Sequence, residues 1–456
     1  MRSFVGIGKQ IMTKTMPSLI LAIILAASAF TFGTGRKAAP AIHISPGKAL
    51  MDEVVSIRVT GLSPGQAVAI NATMPGLHGE VWKSGAEFVA DKRGTVDLSK
   101  QAPARGSYAG VDGMGLFWSM KTAGERGQNR SAPPSLLAPV VMSFDLEIEG
   151  RQVASASLTR LFVGPGVKSL DVRDNGLVAK LYEPEKGGPH PGILVLGGSE
   201  GGIQSAESGA ALLASRGYAA LAVAYFGMEG LPQRLVEVPI DYLKKAIDWM
   251  RAKDTIASGR LAVLGGSKGG ELALLLGARF PELKAVVAYV PSNVAWQGIG
   301  GAGSSWSEAG KPLDYVPYKS MPPTRNASNQ MVLASFYLAS LDNKEAVEKA
   351  VIPVEKINGP VLLISGKDDQ LWPSSVMADM IIARLKERKH KYSYEHLSYE
   401  SAGHAIGRIY RPTTSSMGTG TLAMGGTAEA NARAQADSWP KVLRFLNDSL
   451  MKKEKK

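Results

Sequence analysis

Hydrophobic positions follow two different patterns in the two halves of the chain. From residue 42 to about 163, apolar and polar residues alternate in short runs that end at turn-forming residues, as at 54–59 and 67–72. Alternation of this kind is typical of β-strands with one buried face. The number and spacing of these runs predict an all-β sandwich of immunoglobulin-like size over residues 42–164.

The second half has continuous apolar runs separated by amphipathic segments, which is typical of buried strands that alternate with helices. The predicted strands are 194–196, 219–225, 261–264, 285–290, 361–364 and 392–399. The predicted helices are 205–215, 239–250, 269–279, 375–386 and 428–450. This order predicts an α/β domain with a mostly parallel, doubly wound sheet over residues 165–456.

A stretch rich in Gly, Ser and Pro interrupts this alternation between Pro291 and about Asn343, and it contains Trp296 and Trp306. Long insertions in a compact domain are often lids or binding elements. A simple mobile connection is the alternative, and the sequence leaves both open.

Residues 265–269 read Gly-Gly-Ser-Lys-Gly and join the apolar run 261–264 to a predicted helix. A G-x-S-x-G sequence between a buried strand and a helix is typical of the nucleophile elbow of α/β-hydrolases. The glycines allow a strained turn that lifts Ser267 to the carboxyl edge of the sheet. The alternative is a glycine-rich turn with an idle serine, because short patterns also match by chance.

Candidate partners for this serine follow it in the order that the hydrolase fold uses, an acidic residue and then a histidine. The run 361–364 leads to Asp368 and Asp369, and the predicted strand 392–399 leads to His404. We therefore predict a catalytic triad of Ser267, Asp369 and His404, with Asp368 capping the turn. The remaining histidines are more typical of surface or packed positions: His43, His78, His190, His390 and His396.

An oxyanion hole needs two backbone N–H donors. We expect one from Lys268, the residue after the nucleophile, and one from the glycine-rich loop 197–202, where Ser199 and Glu200 are the candidates. This loop lacks the ending of a phosphate-binding P-loop and the spacing of a dinucleotide fingerprint.

The first 29 residues have the features of a secretory signal peptide. Lys9 and Lys14 precede a short apolar run over 19–29, which closes with Ala-Ser-Ala. Residues 1–41 are therefore predicted to be a signal peptide and linker, with export to a periplasm or the cell exterior. An uncleaved membrane anchor is the alternative, although the run is short for a span.

Composition narrows the candidate chemistry. The chain has no cysteine, which excludes disulfides, thiolate metal sites and cysteine nucleophiles. The net charge of +12 would fall to about +9 on loss of Arg2, Lys9 and Lys14 with the signal peptide. No motif of a nucleic-acid reader accompanies this charge, and the basic tail 452–456 is typical of a solvated helix end. We predict neither a metal nor a cofactor, no nucleic-acid partner, and no particular oligomeric state.

Several longer segments resemble one known family. They are 61–62, 106–110, 113–118, 188–192, 217–225, 231–232, 264–274, 366–372 and 430–439. In these segments the chain resembles the acyl-CoA thioesterase and bile acid-CoA:amino acid N-acyltransferase family. The resemblance implies a β-sandwich followed by an α/β-hydrolase domain, with the triad on Ser267, Asp369 and His404.

The resemblance also implies a reaction. Members that conjugate amino acids typically carry cysteine as nucleophile and thioesterase members carry serine, so Ser267 resembles the hydrolases. The implied activity is cleavage of acyl-CoA to free fatty acid and CoA. Because CoA thioesters are scarce outside the cytoplasm, predicted export favours an alternative, an exported carboxylesterase or lactone hydrolase. An acyl-CoA:amino acid N-acyltransferase and a non-catalytic binding protein are further alternatives.

Overall fold

A computed structural model describes residues 38–76, 79–123, 135–322, 324–407, 410–416 and 420–451. The predicted signal peptide, His78 and the basic tail lie outside the described residues, apart from the linker residues 38–41. Among the described residues, no helix is both long and apolar enough to cross a membrane.

The alternating runs of the first part form two sheets. The strands are β1 (Ala41–Ser45), β2 (Lys48–Leu50), β3 (Ser56–Thr60), β4 (Ala67–Pro75), β5 (Val81–Val89), β6 (Val96–Asp97), β7 (Arg105–Gly106), β8 (Lys121–Ala123), β9 (Val140–Ile148) and β10 (Arg151–Leu161). One sheet has the order β1-β3-β6 and the other β2-β10-β9-β4-β5-β7, with β8 on β5. All pairs are antiparallel except β2 with β10.

Both sheets contribute to one hydrophobic core. In β3, Ile57 and Val59 are buried while Arg58 between them is exposed, as the period of two requires. They share a core with Ile70 and Phe144 of the other sheet. A short helix that the pattern did not predict, α1 (Gly115–Trp118), adds its buried side chains to this core. The immunoglobulin likeness of this part stays a prediction.

The second part is built on one larger sheet. Its strands, with the short strands between them, are β11 (Val167–Val172), β12 (Ala179–Pro184), β13 (His190–Leu196), β14 (Ala219–Val223), β15 (Val238–Pro239), β16 (Ile256–Gly266), β17 (Leu283–Tyr289), β18 (Trp306–Glu308), β19 (Lys311–Pro312), β20 (Thr324–Arg325), β21 (Met331–Val332), β22 (Val361–Gly366) and β23 (Tyr394–Tyr399). The large sheet has the order β11-β12-β14-β13-β16-β17-β22-β23. It is parallel from β14 to β23, and β11 and β12 are antiparallel.

Helices cover both faces of this sheet. They are α2 (Gln204–Ala214), α3 (Ile240–Ala252), α4 (Lys268–Arg279), α5 (Ala334–Ser340), α6 (Lys344–Ala350), α7 (Ser374–Glu387) and α8 (Ala428–Leu450). Alternate residues of β13 point to opposite layers: Leu194 packs with α3, α4 and α7, whereas Ile193 packs with α2 and α8. The mostly parallel, doubly wound sheet is confirmed.

Among the described residues from 39 onward, the two parts pack together in one compact unit. Asp52 of the first part pairs with Arg216 after α2 and accepts a hydrogen bond from Trp439 of α8. The division of the chain at residues 164 and 165 stays a prediction.

The insertion after β17 is a packed part of this unit. Trp296 and Trp306 are fully buried. Trp296 stacks on Tyr318 and meets Tyr337 edge to face, and Tyr337 meets Trp372 in the same way. A loosely attached connection would not bury two tryptophans, so this part of the insertion is a fixed element of the fold.

Candidate active site

Ser267 lies on a sharp turn between β16 and α4. Its φ of 57° and ψ of −124° are unusual for a residue with a side chain, and such strain costs about 1–3 kcal/mol. A Cβ atom added to Gly265 would collide with the carbonyl of Gly269, and one added to Gly269 would collide with that of Gly197. Glycine is therefore required on both sides of the turn, which is the pattern that the sequence contains.

The structure brings the three predicted side chains together. Ser267 Oγ lies 2.9 Å from His404 Nε2, and His404 Nδ1 lies 2.9 Å from Asp369 Oδ2. His404 follows β23 and Asp369 follows β22, so neighbouring strands deliver both to the edge that carries Ser267. We call these three residues the elbow array.

Asp369 is held rigidly and shielded from water. Its side chain is 1% exposed and also accepts hydrogen bonds from the amides of Leu371 and Trp372 and from the hydroxyl of Ser374. The neighbouring Asp368 accepts a bond from the amide of Gly426 instead, so it serves the turn. Asp369 therefore lies against His404, and Asp368 lies against the backbone of Gly426.

The loop 197–202 lies against the nucleophile. A Cβ atom added to Gly198 would lie 3.4 Å from Ser267 Cβ. The amide of Gly198 donates to Glu200 Oε1 at 3.1 Å. Among the described residues, no hydrogen bond occupies the amides of the predicted donors Lys268, Ser199 and Glu200. Lys268 is the first residue of α4, where free N–H groups favour negative charge.

Comparison with known proteins finds two matching family models and several similar relatives. Residues 52–174 match the family described as the acyl-CoA thioester hydrolase/BAAT N-terminal region, and residues 238–452 match its C-terminal counterpart. The acyl-coenzyme A amino acid N-acyltransferase 1 of Mus musculus is 32% identical over 89% of this chain and 97% of its own. The chain belongs to this family.

Other members are similar to the same extent. Acyl-coenzyme A thioesterase 1 of Mus musculus is 31% identical over 90% of this chain and 96% of its own, and the mouse bile acid-CoA:amino acid N-acyltransferase is 31% identical over 89% and 97%. The family therefore includes thioesterases and acyltransferases at equal identity to this chain. Among solved structures, a putative dienelactone hydrolase from Klebsiella pneumoniae is 17% identical over 61% of this chain and 97% of its own, with a TM-score of 0.40.

One feature of this family member was missed at the sequence level: the side chain of Lys268 turns inward. It is 2% exposed, and its Nζ lies 2.6 Å from Glu271 Oε2 and 2.8 Å from Ser305 Oγ. Glu271 also accepts bonds from the indole of Trp306 and the amide of Trp296. Burial lowers the pKa of Lys268 and raises that of Glu271, while their pairing opposes both shifts. The ion pair fastens the insertion to the nucleophile helix.

A sequence signal for this pair existed. Lys268 and Glu271 are three residues apart on a helix that the pattern predicted to be buried, and charged residues in such a place need partners. The partners on the insertion had no such signal, because contacts between distant segments depend on the tertiary fold.

A second hydrogen-bonded group has the same residue types. Ser365 Oγ lies 2.6 Å from His396 Nε2, and His396 Nδ1 lies 2.9 Å from Asp379 Oδ1. The serine is on β22, the histidine on β23 and the aspartate on α7. We call this group the strand array. The sequence placed His396 within a strand, and the structure agrees, but the partners were not foreseen.

Two cavities lie away from the elbow. One of about 1360 Å³ lies at the amino ends of the parallel strands and is lined by charged residues such as Arg260 and Lys284. Another of about 470 Å³ lies between the first sheets and α8, near Trp118 and Gln435. No residue of the elbow array lines either cavity. The position of the larger cavity therefore does not coincide with the candidate active site. Within the described part of the chain, no cluster of His, Asp and Glu could hold a metal ion.

Proposed function

We propose that this protein is a serine hydrolase that cleaves acyl thioesters, with acyl-CoA as substrate and free fatty acid and CoA as products. Membership of the family supports a hydrolase enzyme, and several relatives are named acyl-coenzyme A thioesterases. The observation that carries the proposal is the 2.9 Å contact of Ser267 Oγ with His404 Nε2 on a strained elbow.

In the first half-reaction, Ser267 Oγ attacks the thioester carbonyl while its proton passes to His404 Nε2. Asp369 keeps the ring oriented through Nδ1 and stabilises the imidazolium that forms. The oxyanion accepts hydrogen bonds from the amide of Lys268 and from that of Ser199 or Glu200. When the tetrahedral intermediate collapses, the carbon–sulfur bond breaks and the thiol leaves with the proton from His404.

In the second half-reaction, water takes the place of the thiol. His404 removes a proton from the water, which attacks the ester carbonyl of the acyl-enzyme. Collapse of this intermediate breaks the bond to Ser267 Oγ and returns the proton to it, so the free acid leaves. A serine nucleophile favours this hydrolytic outcome over transfer to an amino acid, as the family resemblance implies.

A substrate panel tests the proposal. We expect purified protein to hydrolyse acyl-CoA esters of at least one chain length, with no amide product when glycine or taurine is added. The panel includes p-nitrophenyl esters and lactones, because predicted export favours an oxygen ester as the natural substrate. Formation of an N-acyl amino acid would identify a transferase, and no turnover with any of these compounds would favour a binding protein.

We also propose that the protein is exported and that the mature chain begins near Phe30. Support comes from the basic start, the apolar run and the Ala-Ser-Ala site. Cell fractionation followed by N-terminal sequencing tests this directly. An intact amino terminus in the cytoplasm would contradict it, and an intact terminus in the membrane would indicate an uncleaved anchor.

The finer fold assignment is likewise a proposal. We infer an immunoglobulin-like sandwich over 42–164 and a hydrolase domain over 165–456, supported by the two sheets with one core and by separate family matches for the two parts. An experimental structure tests the strand topology of the sandwich.

A further inference from the structure

Tyr225 lies just after β14 with its ring fully buried, and it contacts the loop beside the nucleophile. Its hydroxyl donates to Gly197 O at 2.7 Å and to Gly198 O at 3.0 Å. Burial raises the pKa of this phenol well above its ordinary value, so it stays protonated and able to donate. The nucleophile and its partners do not use this hydroxyl.

The carbonyl of Gly198 and the amide of Ser199 belong to one peptide unit. That unit is planar and its C=O and N–H point in opposite directions, so holding the carbonyl fixes the direction of the amide. Likewise, the carbonyl of Gly197 fixes the amide of Gly198, which is already bonded to Glu200. Of the two amides that Tyr225 orients, that of Ser199 has no partner among the described residues.

This peptide unit lies next to the reaction centre. The Cβ position of Gly198 is 3.4 Å from Ser267 Cβ, which leaves no room for another residue between them. Because Gly198 O points toward the Tyr225 hydroxyl, the amide of Ser199 starts from this place and points away from Tyr225.

Tyr225 is itself held by the group that anchors Lys268. Its ring centroid is 5.9 Å from that of Trp306, whose indole donates to Glu271. Lys268 Nζ lies 5.3 Å from the centroid of the Trp306 ring. The ring of Tyr225 and the side chain of Lys268 therefore both lie against one buried tryptophan of the insertion.

We propose that Tyr225 is a positioning residue that aims the amide of Ser199 as the second oxyanion donor. The proposal rests on the proposed function and selects Ser199 over Glu200. Tyr225 touches no reacting atom and acts only through the peptide unit that it orients. Its effect belongs to the transition state and the tetrahedral intermediate, because the carbonyl oxygen of the bound thioester gains negative charge only as Ser267 Oγ attacks.

The variant Tyr225→Phe tests this, because it keeps the ring and removes the hydroxyl. We expect kcat to fall about tenfold to a hundredfold, less than the 10²–10³ that follows deletion of an oxyanion donor. KM should stay within about twofold, and the inhibition constant of an acyl trifluoromethyl ketone should rise by the same factor as kcat falls. The control is Tyr392→Phe, which removes the hydrogen bond that this hydroxyl donates to Asn358 Oδ1 at the amino ends of the parallel strands, and it should change neither constant.

A backbone variant keeps the test decisive if Tyr225→Phe does not fold. Replacing the Ser199 amide with an ester removes the N–H and also weakens Gly198 O as an acceptor for Tyr225, and kcat should fall by about 10²–10³. Combined with Tyr225→Phe, it should show no further loss, because the two act on one donor. Additive losses, or an ester variant with normal kcat, would overturn the proposal. So would an unchanged kcat for Tyr225→Phe, or a loss matched by a higher KM and an unchanged inhibition constant.

Labelling of Ser267 with a fluorophosphonate separates this inference from the substrate proposal. If wild-type protein labels but does not cleave acyl-CoA, the substrate is wrong, and the Tyr225 comparison is made on labelling rate, which should fall at least tenfold. If the wild type cleaves acyl-CoA and Tyr225→Phe labels at the normal rate, the positioning role is wrong. Failure of the wild type to label at all would overturn both.

Discussion

The elbow array and the strand array have the same connectivity and different surroundings. In both, histidine Nε2 faces a serine oxygen and Nδ1 faces an aspartate, with Ser–His distances of 2.9 and 2.6 Å and His–Asp distances of 2.9 Å in each. By hydrogen-bond distance alone, the strand array is the better formed of the two. Connectivity therefore does not distinguish the catalytic candidate from a structural contact.

The backbone of the serine does distinguish them. Ser267 stands on a turn at the start of α4, and the amide of Lys268 that follows it has no hydrogen-bond partner among the described residues. Ser365 lies inside β22, fully buried and in register with Ser398 of β23. Amides in a sheet ladder are paired with the next strand, so they cannot receive an oxyanion, and no substrate reaches a buried strand residue.

The carboxylates differ as well. The side chain of Asp369 is 1% exposed and has several donors, whereas that of Asp379 is 73% exposed on α7. A buried carboxylate stabilises an imidazolium far more than a solvated one, because water screens the latter. The comparison indicates that backbone geometry and exclusion of water, more than the three residue types, make an array fit for catalysis.

Removal of each serine tests the comparison most strongly. Ser267→Ala should lower kcat by about 10⁴–10⁶, since the members of a triad act as a unit. Ser365→Ala should leave kcat within about twofold of wild type, because its hydroxyl only joins two strands. Acyl-CoA or p-nitrophenyl ester turnover measures both. A large loss in Ser365→Ala with unchanged melting temperature would contradict the assignment.

The aspartates give the next largest difference. Asp369→Asn should lower kcat by about 10⁴, because an amide favours the wrong histidine tautomer. Asp379→Asn should have little effect on kcat, because the Asp379 side chain faces solvent in the strand array. Asp368→Asn should also have little effect, because Asp368 accepts a hydrogen bond from the amide of Gly426 and does not contact His404. Steady-state kinetics of the three variants at one pH makes the measurement, and equal losses in Asp369 and Asp368 variants would mean that the wrong partner was chosen.

The elbow array could be predicted because its signals are local or follow chain order. The glycines around Ser267 are adjacent in sequence, and Asp369 and His404 each follow a strand whose apolar pattern is plain. The strand array depends on the register between β22 and β23 and on the side of α7 that faces them. Sequence pattern places His396 in a strand but does not fix that register.

The strands of the fold were likewise predictable where their sequence pattern is strong and were missed where it is weak. The buried parallel strands were predicted because they read as continuous apolar runs, whereas β11 was missed. It is an edge strand with exposed residues at four of its six positions, so its hydrophobic pattern is weak. Tyr225 could be placed at the carboxyl edge of the sheet from sequence, but its contacts with Gly197 and Gly198 arise only when β13 and β14 are paired.

The buried ion pair of Lys268 with Glu271, at the start of the helix that follows Ser267, can be compared with an exposed ion pair by measuring protein stability. Lys268→Met should lower the free energy of unfolding by about 3–5 kcal/mol, because it leaves Glu271 buried without its cation. The control is Lys367→Met in the exposed pair with Glu400, where water screens the charges and no measurable change is expected. Urea denaturation of both variants measures the difference. Similar values for the two would mean that the buried pair does not hold the insertion to α4.

The smallest expected effect concerns pH and the strand array. Burial lowers the pKa of His396 below its ordinary value of 6.5, against a raising effect of Asp379. Because the folded protein binds this proton less readily than the unfolded chain, His396 stabilises the fold above pH 6.5 and that contribution is lost as pH falls through the lowered pKa. His396→Gln should therefore reduce the dependence of the unfolding free energy on pH between about 5 and 7.5, measured by urea denaturation at several pH values.

The control is Ser365→Ala, which keeps the titrating ring of His396 and should keep the wild-type dependence of the unfolding free energy on pH. An unchanged slope in His396→Gln would show that this histidine does not contribute, and a loss of turnover in the same variant would contradict the structural role given to the strand array.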